Sequence, residues 1–279
     1  MSILANGNVG IGEASPDEAL HITSTAASAT PVILLENSNA NNLAPQLNIY
    51  KNSASPADND YVGQIDFEGN DSGGNRTEYA RIIASSQDVT NSLEDGMLQL
   101  QVMYGATLTS GLIVRGMTNG AFVGIGETNP ESPLHIKKAS AGSVTANTNS
   151  VLTLEDDGTT VLQFLSPNDQ QQQIRFGDVN DDGVGILSYN HSTDAMQFAT
   201  AGPIKMTLDS SGRVGIGTAT PGNYHPDADN LVLYGSGNSG MTIASGTSSH
   251  GNIWFADGTT GVAEYQSRIQ FNHNGNTLS

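Results

Sequence analysis

The chain contains no cysteine, which excludes disulfide staples, thiolate catalysis and any cysteine-ligated zinc site. Positive charge is also scarce, with ten Lys and Arg against 28 Asp and Glu and a formal net charge of −18. Such a surface repels phosphate, which argues against duplex DNA, RNA or an anionic membrane as partner. Aromatic residues make up 6% of the chain, thin material for one large monomeric core. No apolar run reaches the roughly 18 residues that cross a bilayer as a helix. The opening MSILANGNVG has neither the basic nor the apolar region of a secretory signal. No window shows a convincing 3.6-residue apolar stripe, so helices are not expected to build the core.

What the chain has in quantity is glycine, 32 residues, together with 10 prolines and only 37% apolar residues, a composition of many short strands and turns. Leu47 and Ile49, Ile65 and Phe67, and Leu98, Leu100 and Val102 occupy alternate positions, as do Leu162 and Phe164, Ile174 and Phe176, and Met196 and Phe198. Ile204, Met206 and Leu208, Ile253 and Phe255, and Ile269 and Phe271 continue the period of two, the pattern of half-buried strands. Val32 to Leu35 and Val151 to Leu154 read as short apolar strands. Stretches such as NSASPADNDYVG and GNDSGGNRTE are turn-forming loops. Ser24 to Thr30 and KKASAGSVTANTNS are low-complexity bridges, and Gln87 to Gly96 reads as a loop. The expected fold class is all-β.

Three stretches punctuate this pattern. GNVGIGEASPDEALHI, GAFVGIGETNPESPLHI and the looser GRVGIGTATPGNYHPDADNLVL share one order: a Gly-containing turn, Val-Gly-Ile-Gly, an acidic or Thr residue, a proline, then a short apolar pair. The motif residues are Val9, Gly10, Ile11 and Gly12; Val123, Gly124, Ile125 and Gly126; and Val214, Gly215, Ile216 and Gly217. In an extended chain Val and Ile point one way and the glycine face is bare, so another backbone must approach it closely. A dinucleotide loop would need a third glycine where Asn129 stands, and a helix after it. The copies divide the chain into an opening segment 1–22, a long β module 23–119, a second module 120–211 and a third 212–279. Modules this poor in aromatics complete their cores by stacking on one another or on other subunits.

The form G-x-VGIG-(T/E)-x-x-P-x-x-x-L-H-I resembles a module that recurs in bacteriophage tail fibres and related virion appendages, notably those of cyanophages and other marine phages. Val32 to Asp88 resembles the long version of the fibre module, Gln173 to Phe198 the shorter one, and Gly251 to Leu278 a diverged copy of the latter. The resemblance implies an elongated, modular homotrimer stacked along a three-fold axis and located in the virion. Its partners would be other tail or baseplate proteins and a host-surface glycan or protein, met by exposed loops. The loops Ser53 to Tyr61 and Glu68 to Glu78 fit that role. A spacer or collar piece without receptor contacts and a tailspike-like polysaccharide depolymerase are the alternatives.

Candidate sites are few. Asp178, Asn180 and Asp182, followed by Gly183, match the first half of a calcium loop, but position twelve is Tyr189 and gives no closing carboxylate. A plain turn is the favoured reading and no cofactor is expected; calcium here and a metal held by repeated histidines on a three-fold axis are the alternatives. His21 and His135 hold one slot in two copies, and His191 and His273 share another. Trp254, the only tryptophan, faces away from Ile253 and Phe255, and its counterpart in the second module is Arg175; both are candidates for an interface or a sugar. Carboxylates abound, among them Glu36, Asp66, Glu68, Glu78, Glu94, Asp95, Glu155 and Asp156. No nucleophile stands with a base in a G-x-S-x-G elbow, and no catalytic residue is assigned.

Overall fold

The computed structural model describes residues 1–24, 31–275 and 277–278; of the Ser24 to Thr30 bridge only Ser24 lies among them. The described residues form four β-sheets, with helix confined to two 3-10 turns at Pro221–Asn223 and Gly261–Tyr265. The protein is therefore all-β. The chain divides into two compact units, Met1–Val161 and Leu162–Ser279.

In the first unit β1 (Ser2–Ile3), β2 (Val9–Ile11) and β3 (Leu20–Ile22) make a small sheet. A seven-stranded sheet follows, its strands in chain order: β4 (Tyr61–Asn70), β5 (Arg76–Asp88), β6 (Asp95–Tyr104), β7 (Thr107–Met117), β8 (Gly120–Ile125), β9 (Leu134–Lys137) and β10 (Leu152–Glu155). Strands β4 to β8 meander antiparallel, while β9 and β10 are added parallel. Gly105 and Ala106, both at positive φ, close the β6–β7 hairpin as a tight two-residue turn that matches strand twist.

The second unit repeats the scheme with β11 (Gln171–Phe176), β12 (Gly185–Asn190), β13 (Ala195–Thr200), β14 (Ile204–Leu208), β15 (Val214–Ile216) and β16 (Leu231–Leu233). Here too the last step, β15 to β16, is parallel. A hairpin of β17 (His250–Phe255) and β18 (Ser267–Asn272) with β19 (Thr277–Leu278) ends the unit. Each Val-Gly-Ile-Gly copy thus forms one strand, β2, β8 or β15, followed by a parallel partner. The copies at Val123 and Val214 close sheets that start upstream of residues 120 and 212.

Register aligns the apolar residues into rows. In the seven-stranded sheet Ile65, Ile82, Leu100, Leu112, Ile125, Ile136 and Leu154 lie side by side, one from each strand. In the six-stranded sheet the equivalent row is Ile174, Leu187, Phe198, Met206, Ile216 and Leu233. None of these thirteen side chains is buried. Leu100 is 41% exposed, Ile125 39%, Phe198 42% and Ile216 45%.

The opposite faces hold the buried residues, and they are largely polar or small. Ile83, Gln99, Ile113, Gly124 and His135 form one buried row, Ser188, Gln197, Thr207, Gly215 and Val232 the other. The Gln99 side-chain oxygen is satisfied there, accepting from Ser110 Oγ at 2.7 Å and Gln101 Nε2 at 2.9 Å. A single chain therefore buries its polar rows and leaves its largest apolar rows half-buried or exposed, the reverse of a self-sufficient sheet.

Three stretches expected as strands, Val32 to Leu35, Leu47 to Ile49 and Leu162 to Phe164, belong to no ladder among the described residues, although the chain there runs without a turn or bend. Alternation is a local signal, whereas a ladder also needs an edge about 4.8 Å away.

Candidate functional site

The repeated corner is the most fully built feature. Val9, Gly10 and Ile11 pair with Leu20, His21 and Ile22. Val123, Gly124 and Ile125 pair with Leu134, His135 and Ile136, and Val214, Gly215 and Ile216 with Leu231, Val232 and Leu233. The connections 12–19, 126–133 and 217–230 contain no α-helix, so each must fold tightly over its own strand. A Cβ on Gly124 would overlap the carbonyl oxygen of Glu127, and Gly10 and Gly215 meet the carbonyls of Glu13 and Thr218 in the same way. Gly126 adopts φ +70°, and a Cβ there would overlap the carbonyl oxygen of Lys137; Gly12 and Gly217 repeat this against Thr23 and Tyr234. The bare glycine face is thus occupied by backbone, as the alternation implies. The corner prolines Pro16, Pro130 and Pro221 are buried.

Each corner is fastened by different polar contacts. In the first, Ser2 Oγ donates to the Glu13 carbonyl at 2.5 Å and His21 Nδ1 lies 2.7 Å from Asp17. In the third, Arg213 binds Asp209 at 2.7 Å and the buried Asp229 at 3.0 Å, tying the long connection to its strand.

The second corner carries a denser network. His135, 2% exposed, places Nε2 at 2.9 Å from Glu155 Oε2, and its Nδ1 accepts from the Glu131 N–H at 3.4 Å. The neutral imidazole with its proton on Nε2 meets both contacts. Lys137 Nζ lies 2.6 Å from Glu127 Oε2 and 3.7 Å from Glu155 Oε2. Glu127 Oε1 accepts from the Asn129 N–H at 2.6 Å and Glu155 Oε1 from the Ala141 N–H at 2.8 Å. All four carboxylate oxygens therefore have donors.

Burial pushes the Glu127 carboxyl up, but the Lys137 ammonium and the Asn129 N–H outweigh it and hold the group below its ordinary range. The Ala141 N–H, against some burial and helped by His135 and Lys137, does the same for Glu155. A carboxylate with a lowered folded pKa contributes stability in full above its unfolded value, ordinarily about 4.5, and loses it as pH falls through the folded value. The unfolding midpoint of the parent protein should therefore fall more steeply between about pH 5 and pH 3 than that of Glu155→Gln. Parallel slopes in a pH series of melting curves would remove the network from the stability account.

Glu127, His135 and Glu155 also form the His and carboxylate group of the described residues whose ligand atoms all lie within 4.8 Å of one another. Lys137 already supplies the cation there. In the sequence-derived candidate, Asp178 Oδ1 accepts from the N–H groups of Asn180 at 2.8 Å and Asp181 at 3.1 Å, as in an ordinary turn. Asp182 pairs with Arg175 at 2.8 Å. Both places have their charges answered by protein donors. A chelator is accordingly expected to leave the melting midpoint unchanged, and a fall of several degrees that added calcium reverses would contradict this.

Trp254 stands opposite Arg268 in the β17–β18 ladder, and the guanidinium carbon lies 5.0 Å from the indole centroid. Arg175, on a different sheet, donates from Nε to Gln173 Oε1 at 2.9 Å as well as pairing with Asp182. The two candidate interface residues are thus each engaged with neighbours on their own hairpin. The loops are ordered by local caps: Asp71 Oδ1 accepts from Gly73 and Asn75 N–H at 2.8 Å, and Asp60 pairs with Lys51 at 3.1 Å.

Several of the plentiful carboxylates hold cations. Glu68 pairs with Arg76, Glu78 with Arg81 at 2.6 Å and Asp156 with Lys138 at 2.8 Å. His135 and Glu155 are among the residues singled out from sequence; their neighbours Lys137 and Glu127 are not. The second copy carries a partial signal, Glu after Val-Gly-Ile-Gly and Lys after Leu-His-Ile, but their meeting depends on the parallel pairing of β8 and β9.

No known family model matches the chain, and no curated protein matches its sequence.

Proposed function

We propose that this chain is the subunit of a homotrimeric fibre, a phage tail fibre or comparable virion appendage, whose shaft carries loops for host-surface contact. The observation that carries the reading is the pair of incompletely covered apolar rows, Ile65 to Leu154 and Ile174 to Leu233, one residue from every strand of each large sheet. Isolated exposed apolar residues need no explanation, but a continuous row across a whole sheet calls for a partner. With a net charge of −18 the polar faces repel one another, so apolar rows are the surfaces on which copies can meet. The number three, the virion location and the host-surface contacts rest on the resemblance of the repeated motif to fibre modules.

Mechanistically, a rod of three identical chains presents each loop three times, so weak single contacts add through avidity. The capped loops around Asp60 and Asp71 suit that use because little entropy is lost when ordered loops bind. Electron microscopy of the purified protein should show rods of uniform width. Compact round particles would contradict the fibre. Turnover of a purified host capsule or lipopolysaccharide would instead favour the depolymerase.

A further inference from the structure

Three unbent segments, 43–53, 159–167 and 238–246, precede β4, β11 and β17, the edge strands of three different sheets, separated from them by three to seven residues. Each carries an apolar pair at alternate positions: Leu47 and Ile49, Leu162 and Phe164, Met241 and Ile243. The second member of each pair lies against its own module. A Cβ on Gly63 would sit 3.0 Å from Ile49 Cγ2, Phe164 shares a shallow cleft with Ile174 and Leu187, and Ile243 shares one with Ile253 and Ile269. Residues 44–50, 159–165 and 239–245 nevertheless make no backbone hydrogen bond among the described residues. Segments 159–167 and 238–246 contain no charged residue, in a chain of net charge −18.

A straight segment with an alternating apolar pair, at most one charge and unpaired backbone is the kind of edge that proteins avoid leaving open. We propose that these three segments are inter-chain strands: each adds, by backbone hydrogen bonding, to the edge strand β4, β11 or β17 of a second copy of this chain. The inference rests on the self-association proposed above and identifies what joins the copies besides their apolar rows. A second copy is the fitting occupant because it offers three edges in the same order as the three segments. Passed from copy to copy around a closed ring, the exchange satisfies every segment and every edge. Addition of a strand to an open edge is a common recognition mode, with backbone bonds giving affinity and alternate side chains giving register.

Hydrogen exchange on the purified, unaltered protein tests the proposal. Pairing along one edge engages every second N–H. Alternate amides within 161–165 and 239–245 should therefore exchange on the order of 100-fold more slowly than unstructured chain. An oligomer of the expected mass whose segment amides exchange at the unstructured rate would overturn the strand exchange and leave self-association standing. A monomer with unprotected segments would overturn both.

Discussion

Gly126→Ala lowers the unfolding midpoint by on the order of 10 °C, a large effect for so small a substitution. Two penalties add. The residue sits at φ +70°, where an L side chain is strained, and the new Cβ would overlap the Lys137 carbonyl, which is itself fixed in the β9 strand. The backbone can relieve the overlap only by opening the β8–β9 pair, which also loosens the Glu127–Lys137 contact at 2.6 Å. Gly74→Ala separates the two penalties. Gly74 has φ +82° but nothing within 4 Å of an added Cβ, so it should cost only the conformational part, about 1 kcal/mol. Thermal unfolding of the two variants beside the parent decides the matter. Equal shifts would mean that close backbone approach is not what the corner glycines are for.

The second large effect falls on assembly. Leu100→Asp places a charge in the middle of the seven-stranded row, at a residue 41% exposed in the single chain. For an isolated chain this is a surface change worth roughly 0.5 kcal/mol or less. Where copies cover the row, each chain instead buries an unpaired carboxylate, at several kcal/mol apiece. The variant is expected to keep its far-ultraviolet β spectrum and lose its oligomeric mass, and Phe198→Asp should do the same in the second unit. A variant that retains the parent's mass would show that the row is not the contact surface.

Much of the fold was legible because its signals are local. The period of two marked most strands, such as Leu98 to Val102 in β6 and Ile204 to Leu208 in β14. The Gly alternation marked the corners, since only a glycine tolerates a carbonyl where Gly124 and Gly215 meet one. What stayed hidden depends on register. That Ile65 and Leu154 end one row seven strands wide follows from pairings that no window of sequence displays. Nor does alternation tell which face a chain buries. Met196 and Phe198 read as core beside Ala195, Gln197 and Ala199, yet the latter three are buried. The same limit applies to His135, Glu127, Lys137 and Glu155, gathered by a parallel step that the spacing of the residues does not reveal. Asp178 and Asp182 illustrate the converse: a motif legible in sequence whose carboxylates are taken up by a turn and by Arg175.

The native mass in solution, from light scattering with sedimentation for shape, is the most direct test of the claim that the apolar rows are closed by further copies. The expected result is three chains, about 87 kDa from 3 × 29.1 kDa, with the high frictional ratio of a rod. A compact particle of 29.1 kDa, stable across concentration, would contradict it.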